Sequence, residues 1–466
     1  MSQAAASPTF DAALIARYDS AGPRYTSYPT APQFHTRFGE AELRQAIRVS
    51  NEEPIPRPLS LYVHVPFCMS PCFYCGCNRI ITRDVAKADR YLERLYREIE
   101  LTADLFDRDR PVRQLHFGGG TPNFLDISRM GELMESLARH FALAHAGARE
   151  FGIEIDPRFA DAAYVRGLGE LGFNRISVGI QDFDPAVQEA VNRIQSIEET
   201  RAVLEAARDS GFHSANVDLI YGLPKQSVSG FGRTLDEVIA LTPDRIAVYG
   251  YAHLPELFKA QRQLNAADLP DPATRLDLLR LAIERLGEAG YLYVGMDHFA
   301  KADDELVKAQ QNGTLQRNFQ GYSTHGECDI VGLGVSAIGR VGDSYSQNAR
   351  DLTGYDLALD NGRLPIARGI ELDEDDRIRR DAINTLMCFD RIDMAAFGAR
   401  HRLVFSEYFA AELERLAQLA DDGLVELDTR TIKVTSRGRL LLRIIAMCFD
   451  AYLHSEDAAP RFSRTI

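Results

Sequence analysis

SLYVHVPFCMSPCFYCGCN (60–78) is the stretch on which the fold turns. Its first eight residues form an apolar, β-branched and aromatic run of the kind that makes a buried strand. Directly after them, Cys68, Cys72, Cys75 and Cys77 place four of the chain's seven cysteines within ten residues. Thiolates are soft ligands, and the x3, x2 spacing of Cys68, Cys72 and Cys75 lets one short loop wrap three sulfurs around a single [4Fe-4S] cluster. Three thiolates on a four-iron cube leave one iron without a protein ligand, open to a substrate or cofactor. The spacing therefore predicts a chemical centre rather than a closed electron-transfer site.

Two other uses of cysteine fit less well. Disulfide frameworks belong to small secreted chains, whereas this one has 466 residues and begins MSQAAASPTF, without a basic n-region or an apolar h-region. Cys72-x2-Cys75 would suit zinc, but no second C-x2-C or H-x3-H pair follows it. Cys328, Cys388 and Cys448 stand singly in apolar surroundings and read as core filler. With 45% hydrophobic residues the chain can bury one large domain and a smaller one. No apolar stretch reaches bilayer length, so a soluble, cytoplasmic protein without a membrane partner is expected. The formal net charge of −14 opposes nucleic-acid binding, and an anionic small-molecule partner would need local arginines.

Outward from the cysteines, short β-branched runs alternate with long amphipathic ones. SLYVHVPF (60–67), VRQLHFGG (112–119), FGIEID, RISVGI, ANVDLIYG and RIAVYGYA read as six strands, and stretches such as 85–106 between them read as helices. That alternation predicts an α/β fold, a partial (β/α)6 TIM-like barrel with parallel pairing and its chemistry at the carboxyl ends of the strands. Beyond about residue 370 the chain turns mostly helical, with a hairpin-like LVELDTRTIKVT, in a winged-helix-like order. Its acidic runs argue against nucleic acid, and it reads as a lid or substrate-side domain. The expected organisation is an N-terminal arm (1–36) over the active site, a catalytic domain (37–369) and a C-terminal helical domain (370–466).

Gly118-Gly119-Gly120-Thr121-Pro122 follows a strand and would let backbone amides approach a polar ligand, or would serve as a plain tight turn. Glu154, at another strand end, can accept from a ribose hydroxyl pair or act as an ordinary ion-pair partner. His64 reads as a satisfied core histidine. Arg24, in the extended stretch 22–34, is suited to bidentate carboxylate recognition, with an arm-to-barrel salt bridge as the alternative.

C-x3-C-x2-C after a strand, GGGTP and EIDP together resemble the radical S-adenosylmethionine superfamily. GPRYTSYPT (22–30), CGCN (75–78), QLHFGGGTP (114–122), NRISVGIQDF (174–183), VDLIYGLPKQ (217–226), RNFQGY (317–322), GVSAIG (334–339) and the closing RFSRTI resemble, more narrowly, the oxygen-independent coproporphyrinogen III dehydrogenase family. The resemblance runs over nearly the whole chain. It implies oxidative decarboxylation of the ring A and B propionates of coproporphyrinogen III to vinyl groups, giving protoporphyrinogen IX in anaerobic haem biosynthesis. It also implies an external electron donor and acceptor, and we expect a monomer.

Carried over motif by motif, the resemblance makes Cys68, Cys72 and Cys75 the cluster ligands. Cys77 would be no ligand but needed for activity, which separates the enzyme from related haem chaperones. One S-adenosylmethionine would meet Tyr62, Gly119, Glu154 and Ile338. A second S-adenosylmethionine would meet Gly120, Thr121, Gln181, Arg193, Asp218 and Ala252, with the backbone at Tyr74 beside the cluster. Tyr62, Cys77 and Arg24 are the candidate catalytic residues. The chain departs from the family at Tyr74, where phenylalanine is common, and at Met69, where histidine is common.

Overall fold

The structure is a computed structural model that describes residues 7–453 together with Phe462 and Arg464. Residues 1–6, on which the leader reading partly rests, and most of RFSRTI lie outside the described residues. The six expected strands are β1 (Leu59–Val65), β2 (Pro111–Gly119), β3 (Glu150–Ile155), β4 (Arg175–Gln181), β5 (Ser214–Tyr221) and β6 (Arg245–Gly250). They pair in parallel in that order. Their buried residues are mainly Val, Ile, Leu and Phe, because helices cover the sheet as parallel pairing requires. Each covering helix starts on a residue that satisfies its free amides: Asp84, Asp126, Asp161, Ser196, Ser227 and Asp271 all accept from the first turn.

The sheet is longer than the alternation indicates. A hairpin of β7 (Tyr291–Gly295) and β8 (His298–Lys301) adds antiparallel to β6. On the other flank β9 (Asp329–Leu333) pairs in parallel with β1, and β10 (Ile338–Val341), β11 (Ser344–Asn348) and β12 (Ile366–Glu371) continue antiparallel. At the amino end of the strands, Arg110 and Asp329 form a 2.6 Å ion pair with side chains 1% and 0% exposed. Arg110 also donates to the Arg57 carbonyl, which ties β2 and β9 to the start of β1.

At the opposite end, Glu98 from the helix Val85–Ala103 is buried beneath the β9–β10 turn. Its carboxylate accepts from the Gly334 amide at 2.7 Å, Asn348 at 2.6 Å and the Tyr355 hydroxyl at 2.5 Å. Tyr91 joins this network to the catalytic end of β1 by donating to the His64 carbonyl at 2.7 Å. His64 is core, as expected, at 6% exposed.

The C-terminal unit holds a three-stranded antiparallel sheet of β13 (Arg391–Asp393), β14 (Val425–Leu427) and β15 (Thr431–Val434) among helices, in the order β13-β15-β14. The helices Phe405–Tyr408 and Ala410–Asp421 are separated at Phe409, and the helix Leu442–Met447 ends before the 3₁₀ turn Ala451–Leu453. In both places a phenylalanine, Phe409 or Phe449, turns fully into the core. The N-terminal stretch is less free than an arm. Leu14, Ile15, Tyr25 and Tyr28 share one apolar core with the C-terminal helices, and the Tyr25 hydroxyl donates to Asp450 at 3.0 Å. Among the described residues no helix is long and apolar enough to cross a membrane.

Burial pushes the Glu98 carboxyl up from the ordinary 4.5 to about 7, against the three hydrogen bonds that favour its ionised form. The folded state thus holds the proton more tightly than the unfolded one, so stability falls as pH rises from about 4.5 to about 7 and levels off above. Thermal melts of Glu98→Gln should lack this decline, so its Tm relative to the parent rises from pH 5 to pH 7.5. A constant difference across that range would show that Glu98 does not titrate there.

Candidate active site

The carboxyl ends of β1 and β2 meet so closely that the cysteine loop is an extension of both. Gly120 N donates to Val65 O at 2.9 Å and Thr121 N to Phe67 O at 2.8 Å. A Cβ on Gly120 would lie 2.7 Å from Pro66 O and 2.8 Å from Phe67 O. Gly119, at φ +116°, packs on the His64 ring, and a Cβ on Gly118 would stand 2.9 Å from Glu154 Oε1. The glycine run is therefore a close-packing requirement. Two of the amides expected to face a ligand, those of Gly120 and Thr121, are already bonded to the end of β1 and to Phe67 just beyond it.

Beyond Phe67 the loop is closed by a short parallel ladder, Phe67–Cys68 against Ile80–Ile81. Thr121 Oγ1 donates to Cys68 Sγ at 3.3 Å, and Cys77 N donates to Cys75 Sγ at 3.4 Å. Three guanidinium groups surround the loop. Arg79 donates to the Cys72 and Cys75 carbonyls, while Arg158 and Arg193 each reach Cys72 Sγ at 3.6 Å. Both of these also bind Asp156, at 2.6 and 3.0 Å. Burial opposes ionisation of Asp156, but the two arginines outweigh it and hold the carboxyl below its usual value. Contacts from Cys77, helped by Arg79, hold the Cys75 thiol below its usual value despite burial, whereas burial pushes Cys68 up to about 11. Cys77 itself is exposed.

The donor set fits a polynuclear cluster better than a single ion. Sulfurs on one zinc at about 2.3 Å must lie close together, yet the group of donors drawn within 4.8 Å among the described residues is His325, Glu327 and Cys328, not the loop cysteines. The surrounding guanidinium charge suits several thiolates. Cys328, Cys388 and Cys448 are buried and free.

A polar cavity of about 190 Å³ lies inside the strands, lined among others by His116, Glu154, Asp218, Tyr249 and His298. Glu154 is half-exposed and 3.3 Å from His116 Nε2. The Tyr62 ring stacks on His116 at 6.1 Å, and its hydroxyl is 3.2 Å from His64 Nδ1. Burial and the Glu154 charge push Asp218 up to about 6, partly offset by hydrogen bonds from Asn216 and Ser177. Gln181 closes β4 at φ +70°, next to Gly179, whose carbonyl accepts from Arg193 at 2.6 Å. Gln261 Nε2 donates to both the Tyr74 and Ala252 carbonyls, at 2.9 and 3.1 Å, joining the cysteine loop to the segment after β6. The backbone of Ile338 lies against Gly332, the neighbour of Tyr62 in β9.

Arg24 meets this group at its rim, over the Tyr249 ring that lines the cavity. Its Nη1 pairs with Asp297 Oδ2 at 2.9 Å and its guanidinium covers the Tyr249 ring at 5.5 Å, the arm-to-barrel contact that was the alternative reading. Asp156, Arg158, Arg79, His116 and Gln261 were not singled out from the sequence. Strand alternation puts Asp156 on the face of Glu154, a signal present in EIDP, while Gln261 lies in a 3₁₀ turn, Lys259–Gln263, with no pattern to mark it.

The Radical SAM superfamily profile matches residues 62–238, and that of the HemN C-terminal domain matches residues 372–441. An oxygen-independent coproporphyrinogen III oxidase of Pseudomonas aeruginosa is 53% identical over 457 residues, covering 98% of this chain and 99% of that protein. That of Escherichia coli is 50% identical over 457 residues, with 98% of each covered. The solved structure of coproporphyrinogen III oxidase (HemN) from Escherichia coli, a radical SAM enzyme, matches with a TM-score of 0.91 at 48% identity, covering 96% of this chain and 100% of that one.

Gly120→Ala drives a methyl group into two backbone carbonyls that cannot swing aside, a strain on the order of 1–3 kcal/mol. The expected result is a lower Tm and a reconstituted cluster of lower occupancy, measured by iron content. Full occupancy at an unchanged Tm would mean that the β1–β2 junction can relax.

Proposed function

This chain belongs to the oxygen-independent coproporphyrinogen III oxidase family, and on that premise we propose how its own residues divide the reaction. The protein converts the ring A and B propionates of coproporphyrinogen III to vinyl groups, giving protoporphyrinogen IX, with S-adenosylmethionine and a [4Fe-4S] cluster. When bound, the cluster and S-adenosylmethionine supply a 5′-deoxyadenosyl radical that takes a hydrogen atom from the propionate β-carbon. Loss of CO2 and of one electron to an external acceptor completes each vinyl group.

Cys68, Cys72 and Cys75 hold the cluster in this reading. The observation that carries it is the single loop bringing these sulfurs to the same strand ends as Glu154, Tyr62 and Gly119. Glu154 faces the polar cavity with half its side chain exposed, placed to accept from ribose hydroxyls. Arg193, clamped between Asp156 and Gly179 O, offers a fixed positive charge beside Asp218 and Gln181. With Gly120, Thr121, Ala252 and the Tyr74 backbone, these residues would receive a second S-adenosylmethionine. Ile338 completes the first site from β10. Tyr62 shapes the cavity wall through its ring. Cys77 acts after cluster assembly. A cytoplasmic monomer served by an external electron donor and acceptor belongs to the same proposal, and the net charge of −14 supports the absence of a nucleic-acid partner.

Anaerobic incubation of reconstituted protein with coproporphyrinogen III should form protoporphyrinogen only when S-adenosylmethionine and reductant are both present; product formed without S-adenosylmethionine would sink the reading.

Serine at Cys68, Cys72 or Cys75 should abolish the brown chromophore, since an alkoxide is a poor substitute for thiolate. A serine variant with full iron and activity would remove that cysteine from the ligand set.

Cys77→Ser should keep iron content and the spectral response to S-adenosylmethionine yet form no protoporphyrinogen. Cluster loss would make Cys77 a ligand, and normal turnover would make it a bystander.

A further inference from the structure

For so acidic a chain, the neighbourhood of the hairpin Gln316–Asn318/Gly321–Ser323 is unusually rich in guanidinium groups. A cavity of about 420 Å³ opens between that hairpin, the Tyr25–Tyr28 segment, β10 and the helix Glu374–Phe389. Its wall carries Arg57, Arg317, Arg340, Arg377, Arg380 and Arg400 against one acid, Asp381. Part of this charge is answered nearby: Arg377 and Arg380 bind Asp343 at 3.1 and 3.0 Å, and Arg400 binds Asp381 at 2.7 Å.

Arg317 and Arg340 are different, because neither has a carboxylate partner among the described residues. Arg340 donates to the Gly326 and Cys328 carbonyls at 3.1 and 2.8 Å. Arg317 lies over the Tyr322 ring at 4.9 Å, and its Nε reaches Arg24 O at 3.4 Å. Arg317 Nη1 and Arg340 Nε are buried without a hydrogen-bond partner among the described residues. Two such groups in one cavity are costly unless an anion joins them.

The hairpin is also a partition. Tyr322, which Arg317 covers, lines the interior cavity that holds Glu154 and Asp218. Arg317 thus stands between the reaction site and the arginine-walled space. The chemistry of the substrate supplies the ligand, an inference that rests on the function stated above. Only the ring A and B propionates react, whereas the ring C and D carboxylates persist in the product and need cations away from the radical. Guanidinium groups suit them, because their planar fork binds a carboxylate through two parallel hydrogen bonds. We propose that this cavity binds the two unreactive propionate carboxylates of the tetrapyrrole, with Arg317 and Arg340 as their partners.

Protoporphyrin IX, which carries only the ring C and D propionates, tests this by fluorescence titration of the reconstituted holoenzyme. The diacid should bind at least about tenfold more tightly than its dimethyl ester, a gap of about 1.4 kcal/mol. Arg317→Ala and Arg340→Ala should each weaken the diacid by about tenfold and leave the ester unaffected, with the cluster spectrum reporting that the variant is folded. Equal binding of diacid and ester by the parent protein overturns the assignment without any variant. So does unchanged diacid affinity in both variants, or displacement of the diacid by succinate at comparable concentration, which would mark a site for free dicarboxylates. Because binding is read without turnover, these outcomes stay separate from failure to form protoporphyrinogen.

Discussion

Two backbone hydrogen bonds, Gly120 N to Val65 O and Thr121 N to Phe67 O, fix where everything else at the catalytic end can be. They carry the β1–β2 register past the last regular pair, Val65 with Gly119, and into the cysteine loop. Cys68 and the Thr121 hydroxyl come into contact as a result, and Glu154 closes over Gly118 from the next strand. A loop held only by its own turns would place its sulfurs loosely. This one inherits the precision of a parallel sheet, which is what a site that must present one iron to a cofactor needs.

Charge in this molecule is sorted by place rather than by depth, since acids such as Glu98, Asp329 and Asp450 are buried as fully as Arg110 and Arg193. Many of the carboxylates cap helices or meet arginines on the surface, where an ion pair contributes about 0–1 kcal/mol. Guanidinium groups gather at two places, Arg79, Arg158 and Arg193 beside the cysteine loop and Arg317 and Arg340 behind the hairpin. The net charge of −14 therefore describes the far field only. It argues against polyanions that approach a broad face, and it leaves room for small carboxylates that enter a particular cavity.

The parts of this architecture that were legible in the sequence are those with strong local signals. Six β-branched runs separated by capped amphipathic helices gave the parallel strands within a residue or two, and cysteine spacing marked the loop. What stayed hidden depends on contacts distant in the chain. The strands β9 to β12 are short and interrupted by Gly332, Gly334 and Gly339, so their periodicity is weak, and they are defined by pairing, β9 on β1 and each later strand on the one before it. Phe409, between two helices, and Phe449, just past the end of another, are fully buried, a placement that no local residue pattern marks. The glycine run admitted two readings, a ligand cradle or a tight turn, because a sequence shows the absence of Cβ without showing what stands in its place.

The N-terminal stretch shows how such distant contacts reach the site. Tyr25 and Tyr28 are held in the C-terminal core, and Arg443 Nε, from the same unit, donates to Pro23 O at 2.9 Å. Arg24 between them has little freedom, and Asp297 at 2.9 Å takes up part of its charge. A guanidinium so clamped is a weak candidate for an independent anion receptor but a good strut. Its carbonyl accepts from Arg317, which has no carboxylate of its own among the described residues. The arm, anchored in the C-terminal core, therefore supplies the position of Arg317, and the hairpin supplies its charge.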